Sequence, residues 1–526
     1  MTGKTSITRR VFVIGSAVIG GAALAGLGIG TGYLATVDVD GTGSGPGEGD
    51  SVNLTSWINI GTDNLITINV PFVEMGQGTH TGLAQLVAEE LGLDLTADNV
   101  RVIHPREEFS AHTNWTMFLN QRPEEMSGPL SWYGKRFLAT MKLSATGGST
   151  AVVGNWHAMR QAGAIARQML RTAAARHLDA SADDLVLQHA AFSLADASNS
   201  VAFGTIAKAA AAIDPPADVV LKPASEFKVI GKPIPRVDVP AKITGKGQYG
   251  VDVRLPDMAF ATVRQAPVFG ARVRKVDDKE ARGMRGVIDV IVDDDATIVV
   301  ADNTWRAFQA AEALEIEYEL PEEPVAGDHL ASGFETGLSE GAFTQSEQPG
   351  DAAEALSSAA KTVAADYRTP YLAHATMEPM NCTVLWTSDD AVEIWAPTQS
   401  AAMARQVIET IGGASSIKVH VTFAGGGFGR RAEKNFVIHA AKAAKAHKGR
   451  PIQLTWSRPE DMQHDVYRPA AIAKMKAGLD DNGQLTAFDA VIGTHSVMAS
   501  FLLRNMDMSS NLTADATTLE GIAHMP

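Results

Sequence analysis

Twice in this chain an alternating apolar run ends in a glycine-rich turn that opens directly into a helical pattern. The first passage alternates over 65–70, turns through Glu74-Met75-Gly76-Gln77-Gly78, and continues over 79–91 with Leu83, Leu86, Val87 and Leu91 on one stripe. The second alternates over 417–423, turns through Gly425-Gly426-Gly427-Phe428-Gly429-Arg430-Arg431, and reads as helical from Ala432 to about His447. Strand, turn and helix in that succession commit the chain to a mixed fold in which helix starts face strand ends. Glycines at such a junction let the backbone approach a ligand closely, because no Cβ stands in the way. Their N–H groups are then free to point at an anion or an oxo group. Taken singly, each turn is also compatible with a tight turn that holds nothing. A dinucleotide fingerprint needs G-x-G-x-x-G, and Arg430 occupies the last glycine's place counted from Gly425. A P-loop fails as well, since no Gly-Lys-Ser/Thr follows.

The rest of the chain alternates in kind. Residues 52–60 and 65–70 read as a hairpin with its turn at 61–64. An alanine-rich helix is expected over about 156–177, opened by Thr146-Gly147-Gly148-Ser149-Thr150, small hydroxyl residues suited to capping and to anion binding. Pro215, Pro216, Pro223, Pro233 and Pro235 break the pattern and mark a boundary. Residues 236–320 read as a compact α/β unit, with strands at 260–263, 287–292 and 314–318 and a helix over 303–313. The acidic, small-residue stretch 321–358 reads as a linker or surface excursion, and a strand-rich pattern resumes at Lys361.

A chain of 526 residues, 45% of them hydrophobic, is long enough for three or four domains at roughly 100–200 residues each. Its 60 acidic against 45 basic residues give a net charge of −15, the wrong sign for a nucleic-acid partner. The single cysteine, Cys382, forms no internal disulfide and holds neither a multi-cysteine zinc site nor an iron–sulfur cluster, which takes about four thiolates. Its simplest role is that of a small buried hydrophobe. If the chain does redox chemistry, its electrons leave through another subunit. His80, His104 and His112 show no metal-ligand grouping. Glu378 follows His374 at helical i,i+4 spacing, but Pro379 and the β-like flanks argue against a helix there.

The amino terminus reads as an export address. Thr8-Arg9-Arg10-Val11-Phe12-Val13 is a twin-arginine motif, followed by an apolar, glycine-rich run over 11–34 without a charge and a flexible spacer over 41–49. The expected location is the periplasm. An uncleaved membrane anchor is the alternative, since the run is long enough to span a bilayer. Twin-arginine export moves folded proteins, which suits a chain that acquires a complex cofactor first.

Three segments together carry a family resemblance: Val73-Glu74-Met75-Gly76-Gln77-Gly78, the 425–431 turn, and Tyr371-Leu372-Ala373-His374-Ala375-Thr376-Met377-Glu378-Pro379-Met380-Asn381. With them the chain resembles the molybdenum-binding large subunits of the xanthine dehydrogenase/aldehyde oxidoreductase family, in particular the isoquinoline 1-oxidoreductase beta-subunit type. Residues 238–318, with Gly245-Lys246-Gly247-Gln248-Tyr249 and Pro256-Asp257-Met258, look like that family's hammerhead domain. The resemblance implies an α+β fold of molybdopterin-binding domains with an inserted α/β hammerhead. The implied spans are a signal and spacer (1–50), an amino-terminal molybdopterin-binding segment in permuted order (51–230), the hammerhead (236–320) and a second, incomplete molybdopterin-binding domain (360–526).

It further implies a molybdenum–molybdopterin cytosine dinucleotide cofactor, gripped without a protein ligand to the metal. Gly76, Gln77 and Gly78 would touch the pterin dinucleotide, with the Gln77 amide donating and accepting. Ser149 and Thr150 would hold its phosphate. Gly426, Gly427, Phe428 and Gly429 would bring N–H groups to the pterin and the oxo ligand, and Arg430 would bind a phosphate. The implied reaction is hydroxylation of an aldehyde or N-heterocycle with water as oxygen source. The implied partner is a small subunit with 2Fe–2S clusters, and a cytochrome c would suit as acceptor. The family's general base is a glutamate in a Gly-Glu context near the carboxyl terminus. No such motif occurs here, so no catalytic residue is assigned, and an inactive cofactor-holding or assembly half is the alternative. An exported binding protein without redox chemistry is a third reading.

Overall fold

The computed structural model describes residues 31–506, apart from positions 40, 42, 44 and 143 and the segments 106–109, 120–126, 197–198, 325–326 and 341–349. The twin-arginine motif and most of the apolar run lie outside the described residues. Among the described residues no helix is long and apolar enough to cross a membrane. The described residues group into two compact units, those within 1–258 with 381–453, and those within 259–380 with 454–526. This grouping cuts across the spans drawn from the sequence. Residues 381–453 join the amino-terminal segment and not the remainder of 360–526, and 236–258 part from the rest of 236–320.

In the first unit, strands Ser51–Thr55, Ile58–Gly61 and Ile66–Asn69 pair antiparallel, and Val100–Ile103 adds parallel to Ile66–Asn69. The run 52–60 is thus two strands where the alternation suggested one. Ser56 and Trp57 turn the chain so that Val52 faces Ile60, and the Trp57 indole, 1% exposed, is buried at that corner. Apolar Leu54, Ile58, Ile60, Ile66 and Ile68 pack with Leu83, Leu86, Val87 and Leu91 of the Thr79–Leu91 helix, and with Met159, Ile165, Met169 and Leu170 of the Ala151–Leu178 helix. The first helix has the bounds its stripe predicts; the second starts five residues before the expected Trp156, at Ala151. The two helices meet at Gly163, where a Cβ would stand 2.9 Å from Glu90 Cβ and 3.0 Å from the Val87 carbonyl oxygen.

Residues 381–453 add strands Asn381–Trp386 and Ala391–Ala396, antiparallel, with Ser416–Val421 parallel to the latter. Helices Ala401–Ile411 and Asn435–Ala446 flank them. The helix after the second glycine turn begins at Asn435, not at Ala432. The turn's own hydrogen bonds, Arg430 N–H to Gly427 O and Ala432 N–H to Gly429 O, first wind a short 3-10 turn over Arg430–Ala432.

The second unit contains the antiparallel trio Ala259–Gln265, Ala296–Ala301 and Val287–Val292, and helix Thr304–Glu312, capped by Asn303 accepting from the Arg306 N–H. It also contains the antiparallel sheet Lys361–Thr369, Ala471–Leu479 and Leu485–Thr494. The 321–358 stretch is not loose throughout, for it holds helices Gly327–Glu340 and Ala352–Ser358, the latter capped by Asp351 accepting from the Glu354 N–H. Alanine and glutamate favour helix there, and composition alone reads them as linker. Antiparallel sheets beside helices make the fold α+β.

Candidate cofactor site

The glycine turns meet through two side chains, Thr146 and Gln399, both within the first unit. Thr146 Oγ1 accepts the Val73 N–H at 2.9 Å, which fixes the turn at 74–78 to the turn at 146–150. Gln399, 2% exposed, then fixes 146–150 to the turn at 425–431. Its Nε2 donates to Thr146 O at 2.7 Å, and its Oε1 accepts the N–H groups of Gly429 (3.1 Å) and Arg431 (3.3 Å). The backbone repeats the link, with Thr146 N–H to Gln399 O at 2.8 Å, Gln399 N–H to Arg431 O at 3.0 Å, and a β-bridge between Ala145 and Ser400. Asn114, 2% exposed, holds the 146–150 turn from behind, donating to Ala145 O at 2.8 Å and to Thr150 Oγ1 at 2.9 Å. Gly76, Gly78, Ser149, Thr150 and Gly426 to Arg430 are thereby brought together.

Two stretches of backbone in this assembly keep donors to spare. Among the described residues, the N–H groups of Gly426, Gly427 and Phe428 meet no acceptor. Gly426 (φ 93°), Phe428 (φ 57°) and Gly429 (φ 104°) are left-handed, so the turn curls its amides in the manner of an anion-binding nest. Left-handed Phe428, a strained choice for a side chain with a Cβ, is 68% exposed. A Cβ on Gly427 would stand 2.2 Å from Met75 Sδ and 2.9 Å from Gln399 Oε1, so only glycine fits where three loops touch. The other stretch is the first turn of the Ala151–Leu178 helix, where Ala151, Val152 and Val153 have no acceptor among the described residues.

The 74–78 turn is organised differently. Glu74, fully buried, accepts the N–H groups of Gly76 (2.7 Å), Gly78 (3.1 Å) and His80 (3.1 Å), and Arg236 Nη2 at 3.1 Å. These amides therefore serve the turn itself. The Gln77 amide is occupied on both sides, accepting from Met75 N–H and donating to Val73 O, each at 2.8 Å. One hydrogen of its NH2 and one lone pair remain for a ligand. Thr150 is the residue before the helix start, but its buried hydroxyl is spent on Asn114 and Gly147 O, whereas Ser149 (φ 52°) is exposed. Arg430 differs most from the sequence expectation. Its side chain is turned inward, 1% exposed, with Nη1 3.1 Å from Asn435 Oδ1, because the 3-10 turn that follows Gly429 points it into the core.

Behind the turns lie two stacked histidines. His80 and His104 have ring centroids 4.5 Å apart, and Phe423 packs on both. Burial, opposed by Asp238 and helped by Lys242 and Arg236, brings His80 down to about 4. Burial and the neighbouring His80 hold His104 well below its ordinary value. Both rings are neutral at physiological pH. Cys382 is fully buried, and burial pushes its thiol up. In the second unit, residues 371–380 form no helix, so His374 and Glu378 share no helical face, and His374 Nδ1 instead lies 2.9 Å from Asp465 Oδ1.

Sequence reasoning missed Gln399, Asn114 and Arg236. Gln399 carried a signal, for it lies between strand Ala391–Ala396 and helix Ala401–Ile411, a third strand–turn–helix passage without glycines.

Comparison with known proteins follows the same ground. Residues 337–500 and residues 21–117 each match the molybdopterin cofactor-binding domain. The chain is 28% identical over 461 residues to a membrane-bound aldehyde dehydrogenase (pyrroloquinoline-quinone) of Gluconacetobacter polyoxogenes, covering 83% of this chain and 54% of that one. It is 27% identical over 479 residues to isoquinoline 1-oxidoreductase subunit beta of Brevundimonas diminuta, covering 82% and 58%. To an aldehyde oxidoreductase molybdenum-binding subunit of Escherichia coli it is 26% identical over 302 residues, covering 50% and 40%. The chain thus spans little more than half the length of these relatives at most.

Proposed function

The chain belongs to the molybdenum-binding large subunits of the xanthine dehydrogenase family, and from that premise we propose that it holds molybdopterin for the oxidation of an aldehyde or an aromatic N-heterocycle. The observation that carries this reading is the set of N–H groups at Gly426, Gly427 and Phe428 that meet no acceptor among the described residues, in a turn locked by Gln399 to the 146–150 turn and, through Thr146, to the 74–78 turn. They form a cradle of neutral donors, which suits the electronegative atoms of a metal-bearing organic ligand. When bound, the cofactor supplies two-electron oxidation with water as the source of oxygen.

The residues divide the work. Gly426, Gly427 and Phe428 donate hydrogen bonds to electronegative atoms of the ligand, and Gly427 keeps the approach open. Ala151 to Val153, with Ser149 beside them, offer a helix start to a phosphate; a cytosine dinucleotide form of the cofactor would place its phosphates there. Glu74 is not the base. Its carboxylate already accepts four hydrogen bonds, from the Gly76, Gly78 and His80 N–H groups and Arg236, so it is spent on holding the turn. Electrons pass to a small 2Fe–2S subunit, with a cytochrome c as a suitable acceptor beyond it, since buried Cys382 cannot ligate a cluster. Export by the twin-arginine route to the periplasm completes the proposal.

The test is metal and cofactor analysis of the complex co-purified with its genomic neighbours. Stoichiometric molybdenum and pterin fluorescence after denaturation are expected, with oxidation of aldehydes or N-heterocycles. Loss of both, or pyrroloquinoline quinone in their place, would overturn it. A complex that retains molybdenum and pterin but turns over no substrate favours the second reading, a cofactor-holding subunit.

A further inference from the structure

We propose that Arg236, Asp238 and Lys242 form a charged clamp that sets the spacing between the 74–78 turn and the strand end that launches the 425–431 turn. The proposal rests on the cofactor reading above, which gives those two turns their task.

Asp238 is the centre. Its side chain is 1% exposed and takes three charge-assisted hydrogen bonds, from Arg236 Nε at 3.0 Å, Arg236 Nη2 at 2.6 Å and Lys242 Nζ at 2.6 Å. Each arm reaches a different turn. Arg236 donates through Nη1 to Gly76 O at 2.9 Å and through Nη2 to Glu74 Oε1 at 3.1 Å, and Glu74 in turn holds the Gly76, Gly78 and His80 amides. Lys242 Nζ sits 4.9 Å from the centroid of the Phe423 ring, two residues before Gly425. Phe423 is also tied from its backbone, donating to Gln248 O at 3.0 Å, and Tyr249 forms a parallel bridge with it. Two carboxylates and two cations make the cluster neutral as a whole. Neutral His80 and His104 fill the space between its ends. With both carboxylates buried and both cations partly exposed, the cluster is a poor source of stability but a good source of fixed geometry, because removing a cation leaves a buried carboxylate short of a partner. Arg236 suits the post, since its planar fork serves Gly76 O, Glu74 and Asp238 at once, which a lysine cannot do. Arg236, Asp238 and Lys242 are positioning residues and touch no substrate.

The clamp predicts arm-specific loosening. Hydrogen exchange is measured on the full chain purified without cofactor, and the rate of pterin loss on the loaded complex. Arg236→Met is expected to speed exchange at least tenfold in 74–80 and little in 422–429; Lys242→Met the reverse; Asp238→Asn both. Exchange within 159–170 stays at the wild-type rate in all three, and Lys208→Ala, at an exposed pair with Asp50, changes nothing. Loaded Asp238→Asn complex loses pterin at least tenfold faster, with an unchanged KM in the molecules still loaded. Uniform acceleration that includes 159–170, or no acceleration at either turn, would overturn the clamp. Should Asp238→Asn fail to fold, the two single-arm variants decide by themselves. If the exchange pattern holds but no pterin is found in the wild-type complex, the clamp stands and the cofactor reading falls.

Discussion

Gln399→Ala removes the side chain that joins the 146–150 turn to the 425–431 turn. Three hydrogen bonds disappear, to Thr146 O and from the Gly429 and Arg431 N–H groups, and at about 1 kcal/mol net each they account for roughly 3 kcal/mol. Gly429 is exposed and recovers a water. Arg431 (0% exposed) and Thr146 (5%) do not, and stranding one buried donor and one acceptor adds about 1–2 kcal/mol. The expected loss is therefore about 4–5 kcal/mol, a large fraction of a typical domain's stability. Urea unfolding of the purified chain, followed by tryptophan fluorescence, reads it as a lower midpoint at unchanged slope. Gln399→Glu is the control. It keeps both acceptor bonds but buries a carboxylate with one oxygen against Thr146 O, so at neutral pH it should cost at least as much as alanine. A loss under about 1 kcal/mol for Gln399→Ala would refute the idea that this residue locks the turns.

Further outcomes follow from the same geometry. Gly427→Ala places a Cβ against Met75 Sδ and Gln399 Oε1, so cofactor content, measured as molybdenum per chain, should drop at least tenfold and the unfolding midpoint should fall with it, because Gln399 is displaced. Gly163→Ala meets backbone and not a flexible tip, the Val87 carbonyl at 3.0 Å, so it should cost about 1–3 kcal/mol in the same urea assay. His80 has a folded pKa of about 4 against an ordinary 6.5, so the unfolded chain binds a proton across that interval and the folded chain does not. Stability should therefore fall as pH drops from about 6.5 to 4, by up to about 3 kcal/mol from this ring, and level off below. His80→Phe should flatten that slope; an unchanged slope would put the titration elsewhere.

Local pattern made some of this legible. The Leu83, Leu86, Val87 and Leu91 stripe marks the Thr79–Leu91 helix, because one buried face is enough to define it. Glycine marks the turns, because left-handed backbone and close approach at Gly426 and Gly427 exclude other residues. The break at Trp57 stayed hidden, since Val52, Leu54, Ile58 and Ile60 keep their period on either side of a two-residue turn. The helices within 321–358 were masked by a composition shared by linkers and solvent-exposed helices. The links among turns were the least readable. Val73 and Thr146, Thr146 and Gln399, Glu74 and Arg236 are partners only because distant strands align, and no local periodicity encodes such a meeting. Arg430 shows the converse: an arginine beside glycines suggests a phosphate ligand, yet a short 3-10 turn is enough to point it inward.

Hydrogen exchange across cofactor loading bears most directly on the central claim, that backbone donors of converging turns grip the ligand. Loaded against unloaded chain, peptides covering 425–429 and 149–153 should gain strong protection, while 74–80, whose amides already bond Glu74, should change little. Full molybdenum occupancy with no added protection at 425–429 would contradict the account.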